Sequence, residues 1–367
     1  MKKIGLIVNP IAGMGGSVGL KGTDGDIFKE ALKLGAEPVT PERTRNLFRH
    51  VEKNKYIDLI VAPDKMGAKY IKGTDISYKL VGNIPEKTSA EDTKRIAQKM
   101  VDKEIDLLVF VGGDGTARDI YDAIGLKIPV VGVPSGVKIF SPVFAVSARA
   151  ASKMVDAYVE GTDTIEKEVL DIDEDAFRNN RLASKLYGYL RVPKVNKLLQ
   201  QGKESSNRDK SSRKIKSEIA EYIVKNMKND YLYLLGPGTT LKAISNKIGI
   251  PKTLLGVDAI FNKEIIGSDL NEQDILGLLE KYEKAKIIVT PIGGNGFIFG
   301  RGSKQFTPQV LKSIDKENII IVGTSNKIKK LDCLRADTGD QKVDNLLSGN
   351  IKVIVSGKEE SIMEVRV

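Results

Sequence analysis

Short apolar runs that end in glycine-rich loops, each followed by a stretch with helical spacing, constrain the fold of this chain most. The three clearest cases lie at residues 4–16, 107–116 and 129–136. Strands that alternate with helices pair in parallel and form layered α/β folds. We therefore predict an α/β protein with an N-terminal doubly wound, mostly parallel sheet that carries Gly-rich phosphate loops, followed by a second α/β domain.

The length of 367 residues and the shifts in pattern predict two domains and a connection. Residues 1–165 carry the glycine-rich loops and form the first predicted domain. Residues 166–214 show alternating apolar and polar positions and then a polar stretch from 201 to 214, which predicts a strand-rich hinge and a linker. Residues 215–367 return to alternating strand and helix patterns and form the second predicted domain.

Composition bounds the class of protein and its partners. The net charge of +10 suits anionic ligands, or else a lysine-rich soluble surface. No basic run is interleaved with aromatic residues, so we predict no nucleic-acid groove, and no apolar run is long enough to predict a membrane partner. With Cys333 as the one cysteine, no disulfide can form within the chain, and we predict a cytoplasmic protein.

The run Gly112-Gly113-Asp114-Gly115-Thr116 carries the strongest functional signal. Glycines let backbone N–H groups approach phosphate oxygens, and the start of the following helix, predicted over 117–124, adds partial positive charge. A carboxylate beside phosphates is useful when it handles a proton or a cation. Asp114 is therefore predicted as a general base toward a hydroxyl or as a ligand of Mg²⁺, the alternative being a simple helix cap.

In doubly wound sheets, ligands bind beyond the carboxyl ends of the strands, where loops 9–25, 112–116 and 134–141 are predicted to meet. These loops supply the candidates for binding the phosphates of the nucleotide. The candidates are Asn9, Gly13, Gly15, Gly16, Gly112, Gly113, Gly115, Thr116, Ser135 and Gly136.

A second group of loop residues forms the candidate substrate site, with solvated turns as the alternative. Gly236-Pro237-Gly238-Thr239-Thr240 follows a predicted strand and resembles the phosphate loops of sugar-phosphate isomerases, and Gly293-Gly294-Asn295-Gly296 follows the next unit. The candidates are Lys21, Thr23, Asp24, Lys138, Gly236, Gly238, Thr239, Thr240, Gly294 and Asn295.

These motifs together resemble a known superfamily. A strand followed by Gly-Gly-Asp-Gly-Thr is the hallmark of the group that joins NAD kinases, diacylglycerol and sphingosine kinases and, more distantly, phosphofructokinases. The run Asn9-Pro10-x-x-Gly13-x-Gly15-Gly16 resembles the first phosphate loop of the lipid-kinase branch, and residues 132–136 match the third loop. The whole chain most resembles the ATP-NAD kinase-like group of archaeal and bacterial proteins, which are predicted polyphosphate/ATP-NAD kinases.

The resemblance implies a phosphotransferase with an alcohol group as acceptor, which uses ATP or polyphosphate with Mg²⁺. Asp114 matches the residue that NAD kinases use as base toward the adenosine ribose 2′-hydroxyl, and Gly112, Gly113 and Thr116 match their phosphate cradle. The phosphates would hold Mg²⁺, with Asp114 or Asp24 as possible ligands. The acceptor is expected in the cleft between the domains, bound partly by 236–240 and 293–297, and the chain is expected to form a homo-oligomer as related kinases do.

The acceptor stays open because the chain departs from NAD kinases in two respects. Those enzymes carry an Asn-Glu pair and a Thr-Pro-x-Gly-Ser-Thr stretch that recognise the dinucleotide, and neither is expected here. Their second domain is a β-sandwich, whereas residues 215–355 alternate strand and helix patterns. NAD, a sugar, a nucleoside or another polyol are the acceptors considered, and a non-catalytic nucleotide or sugar-phosphate sensor is the alternative.

Overall fold

The computed structural model forms two compact units: Met1–Gly15 with Gly22–Gly202, and Gly16–Lys21 with Lys203–Val367. The domain boundaries given above stay a prediction. The structure describes the following residues: 1–17, 26–33, 35–72, 74, 76–135, 139–172, 184–195, 198–200, 210–300 and 302–367.

The first unit contains a five-stranded sheet whose described strands all run parallel, in the order β3-β2-β1-β4-β5. This confirms the predicted doubly wound sheet. Its three central strands, β2, β1 and β4, are buried along nearly their whole length, as expected when helices cover both faces. The strands are β1 (Lys2–Val8), β2 (Ile57–Val61), β3 (Tyr78–Leu80), β4 (Leu107–Gly112) and β5 (Val130–Pro134).

Helices of the first unit pack in two groups, because the strand order reverses between β1 and β4. Right-handed crossovers place the connections on either side of this reversal on opposite faces. The helices are α1 (Met14–Ser17), α2 (Asp26–Lys33), α3 (Thr40–Arg49), α4 (Ala68–Ile71), α5 (Ala90–Asp102), α6 (Asp114–Ile124) and α7 (Ala148–Val159). Consistent with this, α5 packs against α6, whereas α3 packs against α7 and α4.

A long antiparallel hairpin completes the first unit. It consists of β6 (Thr164–Ile172) and β7 (Ser184–Pro193), as the alternating pattern predicts, and it packs on α6 and β5. The contact with α6 is close: a Cβ on Gly188 would lie 2.3 Å from the ring of Tyr121, so this position requires glycine. The hairpin is therefore built onto the helix that begins at Asp114.

The second unit is built on a nine-stranded mixed sheet in the order β10-β9-β8-β11-β13-β15-β16-β14-β12. Its centre, β8-β11-β13-β15, is parallel and mostly buried, and antiparallel pairs flank it on both sides. This confirms a second α/β domain. The strands are β8 (Leu232–Leu235), β9 (Val257–Phe261), β10 (Glu264–Leu270), β11 (Ala285–Val289), β12 (Phe297–Phe299), β13 (Ile319–Val322), β14 (Leu334–Ala336), β15 (Gly349–Ser356) and β16 (Glu359–Arg366).

Two helices of the second unit, α8 (Lys210–Asn226) and α9 (Thr239–Ile248), pack against each other. Helix α8 already includes residues 210–214, so the predicted polar linker is wrong for that part, while 201–209 lie outside the described residues. The apolar face of α8 begins only at Ile215, which is why the pattern placed its start too late. The helices are α8 (Lys210–Asn226), α9 (Thr239–Ile248), α10 (Glu272–Lys281), α11 (Pro308–Lys312), α12 (Ser325–Ile328) and α13 (Gln341–Leu347).

A buried ion pair shapes the segment that precedes β9. The ammonium of Lys252 donates a 2.8 Å hydrogen bond to Asp258, and both side chains are almost fully buried. Lys252 also donates to the carbonyls of Thr253 and Gly256, each at 3.1 Å. Asp258 accepts from the Thr253 and Asp269 N–H groups at 2.9 and 2.8 Å. The segment before β9 is thus folded around a carboxylate and cannot be extended.

Candidate functional site

The loops that leave β1, β4 and β5 are hydrogen-bonded to one another. The Asn9 N–H donates to the carbonyl of Val111 at 2.9 Å, and the Ser135 N–H donates to that of Gly112 at 3.0 Å. The Asn9 side-chain amide also donates to the hydroxyl of Thr116 at 3.0 Å. The first, second and third loops of the predicted phosphate site therefore meet at the point where the strand order reverses, which is where ligands bind in such sheets.

Two glycines allow this close approach. Gly13 has a φ of +81°, and a Cβ there would lie 2.0 Å from the carbonyl oxygen of Ser135. At Gly112 a Cβ would lie 2.4 Å from the Thr116 hydroxyl. Gly113 directly precedes α6. A Cβ added to it would meet nothing within 4 Å, so its backbone faces open space. Such an open backbone at a helix start is suited to an incoming phosphate.

Asp114 is the first residue of α6, three residues earlier than the predicted helix start at Ala117. Only 8% of it is exposed, and its two carboxyl oxygens accept from the N–H groups of Phe140 and Ser141 at 2.8 and 2.9 Å. The Ser141 hydroxyl in turn accepts from the N–H of Leu170 in β6 at 2.9 Å. Asp114 is thus held by the segment after β5, which joins the hairpin to the site.

The environment of Asp114 changes its acidity. Burial raises the pKa of this carboxyl above its ordinary value, because desolvation penalises the charged form. Hydrogen bonds from Ser141 and Phe140 and the charge of Arg118 act in the opposite direction without overcoming burial. A carboxylate with a raised pKa accepts a proton more readily, as general-base catalysis requires.

Arg118 is a cation of this site that the sequence pattern did not identify. It lies one turn after Asp114, forms an ion pair with Asp171 of β6, and its guanidinium lies 5.9 Å from the ring centre of Tyr187. Its charge acts on the Asp114 carboxyl. The spacing of four residues on a helix was the available signal, since it places both side chains on one face.

Ser135 supplies a second observation that points to a bound anion. Its hydroxyl is buried, with 2% of the residue exposed, and it has no hydrogen-bond partner among the described residues. A buried hydroxyl without a partner is unfavourable, and a phosphate oxygen would satisfy it. The residues present therefore fit a phosphate-bearing cofactor such as ATP.

The described residues contain no group of three His, Cys, Asp or Glu side chains that could hold a metal ion. Each oxygen of Asp114 accepts one backbone hydrogen bond, from Phe140 or from Ser141. Mg²⁺ is commonly held through substrate phosphates, and that arrangement fits this part of the chain. The other proposed ligand, Asp24, lies outside the described residues.

The remaining candidates of the first site are distributed differently. Gly15 and Gly16 lie in the helical turn α1 instead of in an extended loop, because the chain turns after Gly13. Gly115 lies in the first turn of α6 and is exposed. Some candidates lie outside the described residues: Lys21, Thr23, Asp24, Gly136 and Lys138.

In the second unit, Gly236–Thr240 forms a tight connection between β8 and α9. The Gly236 N–H donates to the carbonyl of Ile288, and the Gly238 N–H donates to that of Leu254, each at 2.9 Å. Gly238 has a φ of +118° and is the N-cap of α9, which begins at Thr239. The Thr239 hydroxyl accepts from the Lys216 ammonium at 2.9 Å. The predicted phosphate loop is therefore a helix N-terminus with a lysine beside it.

The loop 293–296 is explained by turn geometry. The Ile292 N–H donates to the carbonyl of Phe297 at 2.7 Å and closes the turn. Gly296 has a φ of +76°, and a Cβ there would lie 2.5 Å from the carbonyl oxygen of Cys333. Gly294 and Asn295 are partly exposed at its tip. The substrate role of these two residues stays a prediction.

The expectation that the chain has no Asn-Glu pair is wrong, because the sequence contains one such dipeptide at 271–272. Asn271-Glu272 occurs where β10 meets α10, and Asn271 caps this helix by accepting from the Asp274 N–H at 3.0 Å. The Glu272 carboxylate accepts from the hydroxyl of Thr307 at 2.5 Å. Both side chains have structural partners here.

No helix in the described part of the chain is long and apolar enough to cross a membrane.

Comparison with known proteins identifies two family domains. Residues 4–163 match the ATP-NAD kinase N-terminal domain, and residues 228–365 match the ATP-NAD kinase C-terminal domain. No curated protein matches the chain.

Several solved structures are similar to the chain, but only weakly. A diacylglycerol kinase from Bacillus anthracis shares 18% identity over 47% of this chain, with a TM-score of 0.24, and the match spans 46% of that kinase, about half its length. The S. aureus MnaA–UDP co-structure shares 12% identity over 92% of this chain and 75% of its own, with a TM-score of 0.26. UDP-GlcNAc 2-epimerase from Methanocaldococcus jannaschii shares 13% identity over 95% of this chain and 81% of its own, with a TM-score of 0.23. These values carry no argument about function.

Proposed function

The chain belongs to the ATP-NAD kinase family, and from this we propose that it is a kinase that transfers a phosphoryl group from ATP or polyphosphate to a hydroxyl group of a small molecule. The 2′-hydroxyl of NAD is the acceptor that the family suggests. A sugar, a nucleoside or another polyol is the alternative acceptor. We place this activity in the cytoplasm and in a homo-oligomer, as proposed from the sequence.

The buried Asp114 carboxyl is the observation that carries the proposal. It lies at the start of α6, among loops with open backbone and beside the Ser135 hydroxyl, which has no partner among the described residues, and burial raises the pKa of Asp114. Each carboxylate oxygen has a second lone pair beyond the one that its backbone N–H occupies. Asp114 can therefore accept the proton of the attacking hydroxyl while Phe140 and Ser141 hold it in place.

The donor phosphates would be bound by the loops around Asp114. The Gly113 backbone, the first turn of α6 and the Ser135 hydroxyl offer the donors, and the Asn9–Thr116 hydrogen bond fixes two of the loops to each other. Mg²⁺, when bound through these phosphates, supplies neutralisation of their charge. Positioning and charge neutralisation account for most of the acceleration in phosphoryl transfer.

One observation favours a second candidate, a sensor that binds the same ligands without transfer. Both Asp114 oxygens already accept backbone hydrogen bonds, so the carboxylate could serve only to fix the segment at 140–141. In a sensor, the residue would affect stability and ligand binding but no chemical step.

The deciding experiment measures phosphoryl transfer from ATP with Mg²⁺ to NAD, NADH, sugars, nucleosides and polyols. Polyphosphate replaces ATP in a parallel series. The control variant is Asp114→Asn, which keeps the size of the side chain and one acceptor oxygen. Ligand binding is measured on the same samples.

Formation of NADP that disappears in Asp114→Asn would support NAD as the acceptor and Asp114 as the base. Transfer to another acceptor with NAD inert would support the kinase and reject NAD. Binding of ATP without transfer to any acceptor would favour the sensor.

A further inference from the structure

Two lysines of the second unit direct their ammonium groups to the ends of its parallel strands. Lys216 of α8 donates to the Thr239 hydroxyl at the start of α9, at 2.9 Å. Lys327 of α12 donates to the carbonyl of Pro291, which follows β11. The carboxyl ends of parallel strands are where ligands bind in α/β sheets.

The positive charge of Lys327 has no carboxylate beside it among the described residues. Burial and, to a smaller extent, the nearby charge of Lys216 together lower the pKa of Lys327 to about 8. The pKa of Lys216 is lowered too, by burial first and then by Arg213. The Pro291 carbonyl is the one hydrogen-bond acceptor for Lys327 within the described part of the chain, although an ammonium carries three donors. An anion placed here would relieve the repulsion.

Lys252 provides the contrast within the same unit. It is more deeply buried than Lys327, and its ammonium donates to a carboxylate and two carbonyls, so that all three donors are used. Such a pair is structural. No carboxylate of the described residues forms an ion pair with Lys327. A structural ion pair like that of Lys252 therefore does not explain its position.

An unpartnered buried hydroxyl lies at the same place. Thr290 is only 5% exposed, and its hydroxyl has no hydrogen-bond partner among the described residues. Its methyl group would lie 2.9 Å from a Cβ on Gly238, so the side chain packs directly against the N-cap of α9. Gly238 offers no side chain to cap this ten-residue helix, and the first-turn N–H groups of a helix lack partners within it. A buried hydroxyl, the N–H groups of a helix start and two cations thus lie at the ends of the neighbouring strands β8 and β11.

We propose that the second unit contains an anion site for a phosphate monoester, formed by Lys216, Lys327, Thr239, Thr290 and the N-terminus of α9. Two ammonium groups match the double charge of a monoester better than the single charge of a carboxylate, and the hydroxyls and N–H groups match its oxygens. The site itself stands on the second unit alone. Its assignment to a phosphate carried by the acceptor rests on the proposed function and would favour phosphorylated acceptors over plain sugars, nucleosides and polyols.

The direct test follows the titration of Lys327 in the full chain by NMR of isotope-labelled lysine side chains. The signal is assigned by its loss in Lys327→Met. Inorganic phosphate, and separately ribose 5-phosphate, is expected to raise the pKa of Lys327 by roughly one unit or more, because the bound dianion favours the charged form. Ribose, which lacks the phosphate, should leave it unchanged.

Calorimetry with ribose 5-phosphate on a matched pair of variants gives the second readout. Lys327→Met should weaken the binding roughly tenfold or more, in the range of a lost charge-assisted hydrogen bond. Lys329 is exposed and lies two residues after Lys327. Lys329→Met therefore removes the same charge outside the proposed site and should bind ribose 5-phosphate as the wild type does. Thr290→Val keeps the shape, lacks the hydroxyl, and should weaken binding about threefold or more without loss of folding.

The proposal is overturned if phosphate leaves the Lys327 titration unmoved, or if Lys327→Met and Lys329→Met bind ribose 5-phosphate alike. The Asp114→Asn variant separates this test from that of the kinase. Its Lys327 signal should still respond to phosphate, because Asp114 lies in the other unit. If no phosphoryl transfer occurs but phosphate still shifts the Lys327 titration, the kinase is rejected and the anion site is kept. If transfer occurs but phosphate leaves the Lys327 titration unmoved, only the anion site is rejected.

Discussion

The Asp114 site of the first unit and the Lys327 site of the second share one construction. Each lies where parallel strands end, and each has a glycine of positive φ packed against a neighbouring strand end, Gly13 against Ser135 and Gly238 against Thr290. Each leaves one buried hydroxyl, that of Ser135 or that of Thr290, without a partner in the described parts of the chain. Each also contains the start of a helix of at least ten residues.

The charge at the two places differs in sign. The first unit places a carboxyl with a raised pKa beside its open backbone, whereas the second places two ammonium groups with lowered pKa values there. A carboxylate beside phosphates costs electrostatic energy unless it takes up a proton, whereas ammonium groups bind the phosphate directly. The same combination of strand, glycine loop and helix thus serves proton transfer in one unit and anion binding in the other, under the two proposals.

The largest effect is expected from Asp114→Asn, which removes the base and keeps one of the two oxygens that accept from the Phe140 and Ser141 N–H groups. Phosphoryl transfer should fall by roughly 10²–10⁴-fold, while nucleotide affinity changes little. In the wild type, activity should also fall as the pH drops through the raised pKa of Asp114, which puts the acid limb above the ordinary carboxyl range. Steady-state kinetics over pH with direct ATP titration checks both. An equal loss of ATP affinity would place Asp114 among the binding groups and erase the contrast with Lys327.

The next effect concerns the glycine that lets two loops meet. Gly13→Ala should lower the free energy of unfolding by roughly 3 kcal/mol or more, because the added Cβ would lie 2.0 Å from a backbone carbonyl oxygen at a φ of +81°. Gly161→Ala is the matched control: its φ is +97°, but a Cβ would meet nothing within 4 Å, so we expect about 1 kcal/mol. Urea denaturation of both variants measures the difference. Equal losses would mean that φ strain, and not the contact of the loops, governs the first site.

The central strands of both units were predictable from the sequence, because apolar runs that end in Gly, Pro or Asn mark buried strands and their carboxyl ends. β1 and β4 begin within two residues of the apolar runs that start at 4 and 107, and β8 ends at Leu235, directly before the loop 236–240 that was predicted to follow a strand. The flanking strands β10 and β16 were missed, since they are largely exposed and rich in charged residues. Such strands are defined by pairing with a neighbour, which no local pattern shows.

The candidate sites divide in the same way. The glycines and Asp114 stand in one motif and were found, whereas the partners of Asp114 are backbone N–H groups of Phe140 and Ser141, which any residue could supply. Lys327 resembles every other lysine in a chain with 58 Lys and Arg residues. Only its contact with Pro291, and the lack of a carboxylate beside it in the described part of the chain, distinguish it, and both depend on the tertiary fold.

A smaller effect tests the two unpartnered hydroxyls as a pair. Ser135→Ala and Thr290→Val each remove a buried hydroxyl without a described partner, so each should raise the free energy of unfolding by up to about 1 kcal/mol in the absence of ligand. Each substitution should also weaken the binding of one ligand: ATP for Ser135→Ala and ribose 5-phosphate for Thr290→Val. Thermal unfolding with and without ligand checks this. A destabilised ligand-free protein would show that the hydroxyl serves the fold instead of a ligand.

The smallest effect asks whether the acid limb belongs to Asp114 or to the neighbouring carboxyl on α6. Burial raises the pKa of Asp119 to about 6, so the folded state binds its proton more tightly than the unfolded chain does. The stability that this provides is complete below pH ~4 and is lost as the pH rises through the raised pKa. Asp119→Asn should therefore match the wild type in acid and be more stable above that range, by about 1 kcal/mol after allowance for the partial exposure of Asp119. Denaturant unfolding at several pH values measures this, and the acid limb of activity should stay where it is. If the acid limb of the pH–activity profile shifts in Asp119→Asn, the ionisation that governs activity is that of Asp119. The comparison with the Lys327 site must then be made with Asp119 in place of Asp114.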